Sequence, residues 1–563
     1  MMAKKELLQW VEANCSSETA KECIKNFIED SPFGALLKMT KEDWKDEFQR
    51  WGTFIYNELH PAIPMEIDQP NRPRGEQVDI SDPWALLNFM NMQMIDVSKL
   101  FASCRLLSEE KRKIAFSGRE AAINQAAEKF KVFADPFGKD KETRKLPVAS
   151  GLSGLGKTRL MDEWERIFDE ADVLRPRFGV LVPYYNGHNP HPVEKSMGIE
   201  ASFSWRLLYR VFIEGNGKEF SDWFQDYLPR NGRALTLRTA LEVIRMKAVS
   251  LGLVREIDLF HMFIGVDEYQ SIEDVNGIKV NREPLLQDLI NAIGGNVESE
   301  STSPINNIRI YPMFAGTDFS VISIVSSSKT ETIRLPMLLL NSFEMARSVE
   351  SIPCGIDLLK QTPVRRHLFY LGGVPRWFTE YILLLVKDVS GRYDKVPTVE
   401  EAEKAFQSVK IQYIAAWGKI NIDGKYKALE PIDFIKLAAF SFSGLKVVLN
   451  SKVIENLSWA RLRDSSVCLI NDSDSRISIP YAIIHEIASY KPAEFSSRVI
   501  KRFIECLKGL VEKVDLLMYD KSPWQLWEVF GAYFHALRIN AFLIIGRTTV
   551  KARELFEGAL ING

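Results

Sequence analysis

Cysteine is sparse and unorganised: the six in 563 residues, at positions 15, 23, 104, 354, 468 and 506, form no CxxC pair and no cluster with the seven histidines. That spacing excludes a structural zinc site of the usual kind and a disulfide framework, and it suits a reducing compartment. Long apolar runs are missing too. No stretch reaches the roughly 20 residues needed to span a bilayer, and the opening "MMAKKELLQWVEANC" interrupts its apolar residues with charge too soon for the core of a secretory signal. Nor does one charge dominate. Seventy-two Lys and Arg stand against 74 Asp and Glu, so no chain-wide positive field points to nucleic acid or to an anionic membrane surface. The chain is expected to be soluble and to act inside a cell, in cytoplasm or nucleus, with no membrane partner.

What is present is enough chain for about three or four domains. Residues 1–60 carry apolar residues at helical spacing, and 61–83 are rich in proline and polar residues, as in a linker. Residues 84–400 begin with helical patterning and then alternate apolar runs with long helical segments. The expected strands are "LPVAS", "FGVLVPYYN" (178–186), "LFHMFIGVDE" (259–268) and "IRIYPMFAGTD" (308–318). Such alternation predicts an α/β fold with a parallel sheet covered on both faces. Residues 401–500 read as helices with one hairpin, "VCLINDSDSRISIP", the order of a winged-helix-like region. Residues 501–563 read as a C-terminal helical segment. There is no internal repeat.

The strand "LPVAS" runs straight into "GLSGLGKT", which satisfies G-x-x-x-x-G-K-[ST] through Gly151, Gly156, Lys157 and Thr158. In a phosphate loop the glycines let backbone N–H groups close around phosphate oxygens, the lysine reaches the β and γ phosphates, and the hydroxyl meets Mg²⁺. Ser153 and Gly154 complete the candidate cradle, and the helical pattern of "TRLMDEWERIFDE" puts it at a helix N-terminus, where the dipole favours an anion. The second part of such a site is an acid at the end of a buried strand. In "MFIGVDEYQ", Asp267 is the expected metal-side carboxylate and Glu268 the base that polarises water, the pattern of the additional-strand class of P-loop ATPases. Thr317, with Asp318 beside it, is the candidate γ-phosphate sensor on the strand between loop and acid. Arg376 and the pair Arg365 and Arg366 are further candidate cations. ATP and Mg²⁺ are the expected cofactors.

Taken in order, "FSGREAAI", "ASGLSGLGKTRL", "VPYYNGHNPHPVEKSMGIEASFSWRLLYRVF", "GVDEYQ", "MFAGTD" and "LGGVPRWF" resemble the P-loop ATPase module of Crinkler effectors and of trypanosome retrotransposon hot spot proteins, over roughly residues 110–400. The resemblance implies an ATPase related to signal-transducing and AAA-like groups, often joined to a C-terminal toxin domain and acting in the nucleus, in a host cell if secreted. It implies phosphate and metal roles for Lys157 and Thr158, an acidic pair in Asp267 and Glu268, and a sensor role for Arg376.

"PWQLWEVFGAYFHALRINAFLIIG" resembles the first helix of a restriction-endonuclease-like domain, with Glu528 as its metal-binding acid. Beyond that helix and its strand only "RTTVKARELFEGALING" remains and no D…ExK array fits, so nuclease activity is not expected and Glu528 reads as a surface residue. His188 and His191, in a Pro- and Asn-rich turn, lack a third ligand for a metal. The expected partners are nucleotide, then a protein partner or a second copy. Nucleic acid enters only through local basic faces such as "WARLR". The alternative to the ATPase is a scaffold that binds ATP and turns it over negligibly.

Overall fold

The structure is a computed structural model that describes residues 78–94, 105–134, 145–185, 187–215, 217–278, 284–302, 307–317, 331–387, 396–413, 419–422, 425–454, 457–464, 467–470, 475–517 and 524–556, with isolated positions 8, 11, 22, 24–28, 319 and 322. The chain divides into two units, 1–74 and 75–563. In the first, the described residues are helical and Val11, Ile24 and Ile28 are buried. The remainder of the expected helical region, and the proline-rich segment as far as residue 77, lie outside the described residues.

In the second unit, helix α1 (Pro83–Gln93) starts where the Asp82 carboxylate accepts from the backbone N–H groups of Trp84 and Ala85, at 3.0 and 3.3 Å, with Pro83 at the first helical position. Helix α2 (Glu120–Ala134) buries Ala122, Ile123, Ala126, Ala127, Phe130 and Phe133 along one face, the spacing of an amphipathic helix. Strand β1 (Leu146–Ser150) is buried at all five positions and leads through the glycine loop into α3 (Lys157–Asp162) and α4 (Trp164–Glu170). Strand β2 (Arg177–Pro183) is followed by α5 (Ile199–Leu208), which passes into a π turn at Tyr209–Ile213, and then α6 (Leu237–Ser250). Next come β3 (Phe260–Asp267), α7 (Leu285–Thr302), β4 (Ile308–Gly316) and the short β5 (Thr332–Arg334).

The five strands form one sheet in the order β2-β3-β4-β1-β5, parallel at every pairing. Near-continuous burial of β1, β3 and β4 is what a sheet covered on both faces requires. Phe130 of α2 packs edge-on against Phe168, Phe263 and Tyr311, at centroid distances of 5.9, 6.0 and 5.4 Å, which fixes α2 and α4 over one face. Register aligns the strand ends: Ser150 faces Gly316, Asp267 faces Ala315 and Pro183 faces Asp267. The loop strand and the acidic strand are separated by β4. With the glycine loop after β1, this order is the P-loop NTPase fold of the additional-strand class.

Helices α8 (Ser342–Glu350), α9 (Thr362–Tyr370), α10 (Pro375–Val386) and α11 (Val399–Tyr413) follow the sheet. Beyond them, helix α12 (Pro431–Ser443) lies after a β6–β7 pair (Lys419–Ile422, Lys425–Ala428). A β8–β9 pair (Lys452–Ile454, Leu457–Ser458) precedes α13 (Trp459–Asp464). Strands β10 (Leu469–Ile470) and β11 (Ile477–Ser478) pair antiparallel where the sequence places a hairpin, and α14 (Tyr481–Ala488), α15 (Arg498–Leu517) and α16 (Trp524–Ile544) complete the described chain apart from a last short turn. The strand expected after the Glu528 helix is not found among the described residues: the helix runs on through "AFLI", its last turn, where Leu537, Ala541 and Phe542 continue the buried face. Glu528 is exposed on the same helix, and no described strand follows it. No described helix is long and apolar enough to cross a membrane.

Candidate functional site

The loop after β1 folds because its glycines go where other residues do so only with strain: Gly151, Gly154 and Gly156 have φ of 142°, 90° and 84°. Gly156 is the residue immediately before α3, so the loop closes over that helix's N-terminus. Lys157 is buried, and its ammonium donates to the carbonyl oxygens of Gly151 (2.8 Å) and Leu152 (3.0 Å). Burial lowers its pKa to about 8, with Glu268 the largest opposing influence. A phosphate would compete for this ammonium on favourable terms.

Thr158 stands one residue on, and its hydroxyl donates to Asp267 Oδ2 at 2.9 Å, joining α3 to the end of β3 across 109 residues of sequence. Asp267 is buried, and burial followed by the neighbouring Glu268 charge raises its carboxyl to about 7. Its second oxygen, Oδ1, is buried without a hydrogen-bond partner. A buried carboxylate oxygen with no donor, beside a threonine hydroxyl, fits a hard divalent cation. Among the described residues there is no group of three or more His, Cys, Asp or Glu able to hold a metal by itself, so phosphate oxygens would have to complete the shell.

Glu268 adopts the left-handed conformation (φ 56°, ψ 47°), which turns the chain off the strand and leaves its side chain half-buried at the cavity wall. This cavity, of about 750 Å³, falls in the range of small-molecule sites and lies at the carboxyl ends of the strands, where open α/β sheets bind ligands. Ser153, Gly154, Gly156, Lys157, Thr158, Asp267, Glu268 and Arg376 all line it. Gly151 contributes from behind, through its carbonyl to Lys157.

Arg376 comes from far along the chain and is the second residue of α10. Its backbone N–H donates to Gly154 O at 2.9 Å and its guanidinium to Ser153 Oγ at 3.2 Å, so it rests directly on the loop. Thr317 is half-buried just past β4, with its N–H bonded to Gln270, and does not line the cavity; Asp318 lies outside the described residues. Arg365 and Arg366 are not brought to the site. They meet Thr362 and Glu403 instead.

Three contributors were not singled out from sequence. Arg119, in "FSGREAAI", is buried and donates to Leu155 O at 2.9 Å, bracing the loop from outside; burial lowers its pKa to about 10. Arg206, in "SWRLLYRVF", pairs through two nitrogens with Glu194 (2.7 and 2.8 Å) and donates to the carbonyls of Pro183 and His188, so it anchors the "YYNGHNPHPVEKS" loop beside the acidic strand. Burial alone would raise the Glu194 carboxyl, but the Arg206 charge and its hydrogen bonds hold it below its ordinary value. Gln270 is the third. In each case the sequence shows a polar residue in an apolar helix or a turn, and only the tertiary partner gives it a task. His188 pairs with Glu214 (3.1 Å), and His191 accepts from the Val193 N–H.

No protein-family model matches the chain, and no curated protein does. The Crinkler and retrotransposon hot spot resemblance therefore rests on the quoted motifs. Among solved structures the chain is similar to the Aeropyrum pernix ORC2 protein in its ADP form, at 13% identity and a TM-score of 0.35 over 72% of this chain and 98% of that one. It is also similar to Aeropyrum pernix ORC1 in complex with DNA (13%, 0.30, 67% and 93%) and to a mutant of Thermotoga maritima RuvB (12%, 0.26, 67% and 97%). The fold assignment stands on this chain's own strand order and loop.

Proposed function

We propose that the chain is an Mg²⁺-dependent ATPase whose nucleotide state is passed to its C-terminal helices. The observation that carries the reading is the convergence of Lys157, Thr158, Asp267, Glu268 and Arg376 on one cavity, with the Thr158–Asp267 hydrogen bond at its base. On this reading Lys157 exchanges the loop carbonyls for the β and γ phosphates. Thr158 and Asp267 hold the cation, which when bound neutralises phosphate charge. Glu268 takes the proton side of an attacking water. Arg376 contacts the γ-phosphate from the loop's rim, and Thr317 answers from the end of β4. Residues 61–83 serve as a linker, and 401–563, including the winged-helix-like part, as the output.

The route to the output is short. Separated from Arg376 by two residues, the Gly372–Gly373 turn packs through Gly372 against the start of α14, where a Cβ on Gly372 would lie 2.4 Å from Tyr481 N. Tyr370 stacks on Tyr481 with centroids 5.6 Å apart and rings 4° from parallel. A contact made by Arg376 in one nucleotide state and lost in the other has a packed path to α14. Steady-state hydrolysis of ATP and GTP, each with and without Mg²⁺, tests the reading. Turnover of ATP that needs Mg²⁺ and disappears in Lys157→Ala supports it; tight ATP binding with no turnover would favour the scaffold alternative.

A further inference from the structure

Resting on the ATPase reading, we infer that Gln270 is a positioning residue: it orients the Glu268 carboxylate and ties that base to the end of β4. Both ends of its carboxamide are engaged. Nε2 donates to Glu268 Oε2, and Oε1 accepts from the Thr317 N–H at 3.2 Å. The base and the candidate sensor sit at the ends of two adjacent strands, 49 positions apart in sequence (317 minus 268), and one side chain connects them.

The backbone places Gln270 there. The left-handed turn at Glu268 sends the chain into a 3₁₀ turn, Tyr269–Val275, which lies across the sheet's edge of strand ends. Tyr269 fixes the other side by donating its hydroxyl to Ser150 Oγ at 3.3 Å, at the last residue of β1. Gly316 provides the space: a Cβ there would lie 2.4 Å from Gln270 Oε1 and 2.5 Å from the Tyr269 ring. Thus the two residues after the acidic pair are tied to two neighbouring strands, Tyr269 to the loop strand β1 and Gln270 to the end of β4.

The chemistry favours an amide. A carboxamide offers a donor and an acceptor on one flat group without net charge, so it can direct a carboxylate without neutralising it, as lysine or arginine would. Engaging Oε2 leaves Oε1 to accept from water. Because the same group holds the Thr317 backbone, a shift at the end of β4 is passed to the base.

The test uses the full chain and compares wild type with Gln270→Leu and Gln270→Glu in steady-state ATP hydrolysis, in binding of a fluorescent ATP analogue and in thermal melting. Both variants are expected to lose about tenfold or more in kcat while analogue affinity stays within about twofold. The glutamate variant discriminates. It keeps an acceptor for the Thr317 N–H but sets a second carboxylate against Glu268 in place of the donor, so kcat is expected to fall while the tie to β4 is kept. Combining Gln270→Leu with Glu268→Gln is expected to add little to the loss from Glu268→Gln alone. Wild-type turnover with kcat unchanged or raised in either variant, or lost only in step with binding, overturns the inference while the ATPase reading stands. A wild type that binds the analogue without turnover overturns both.

Discussion

Lys157 sits where burial works against its own charge, and on the ATPase reading that charge is answered by phosphate. Its two carbonyl partners are weak substitutes for phosphate. Lys157→Ala is expected to weaken ATP binding by about tenfold or more and to leave the melting temperature of the free chain near wild type, read by titration and melting on the same samples. Elsewhere in the sheet, His261 shows the opposite case, a buried titrating group used for packing. Its ring nitrogen shares a 2.7 Å hydrogen bond with the Tyr311 hydroxyl, and burial, aided by Arg309, lowers its pKa to about 4. The unfolded chain takes up a proton there below about 6.5, whereas the folded chain resists until about 4. Its contribution is therefore complete above about 6.5 and is lost as pH falls from there to about 4. His261→Gln, which retains hydrogen-bonding capacity, is expected to flatten this part of the acid limb in melts taken across that range; an unchanged limb would contradict the assignment.

Among the elements, the apolar runs that became β1, β3 and β4 were readable because a sheet buried on both faces leaves little room for polar residues, and their limits differ from expectation by at most two positions. β5 was not readable. Its three residues are half-buried at the sheet edge and carry no periodic pattern. The short apolar "AFLI" segment is compatible with a strand or a helix by pattern alone, and the buried face of α16 decides for the helix. Likewise the loop and the acidic pair announce themselves by spacing, but Gln270 and Arg206 acquire meaning only from partners on other elements. The Arg206–Glu194 pair makes a firm prediction: Arg206→Met strands a buried carboxylate and should cost about 3–5 kcal/mol, while adding Glu194→Gln should recover a substantial part, both measured by denaturant melts. The GGVPR turn makes another. Gly373 has φ 75° and a Cβ there would lie 2.0 Å from Leu340 O, whose own N–H bonds to Gly373 O at 2.8 Å. Gly373→Ala should destabilise by more than about 1 kcal/mol and also weaken nucleotide binding, because it moves Arg376.

For the molecule as a whole, the sheet and the C-terminal helices meet at the turn that delivers Arg376 to the loop. If nucleotide state reaches α14 by this route, hydrogen exchange at residues 370–376 and 481–488 should slow together when ATP binds and should not respond in Arg376→Ala. Slowing confined to the phosphate loop would contradict the coupling. The central claim is chemical, and one experiment tests it most directly: Mg²⁺-dependent ATP hydrolysis by the purified chain, with Glu268→Gln beside wild type and binding of the same nucleotide measured for both. The account predicts turnover in wild type and, in Glu268→Gln, retained binding with turnover reduced by about 100-fold. Equal turnover in the two, or none in either despite binding, would contradict it.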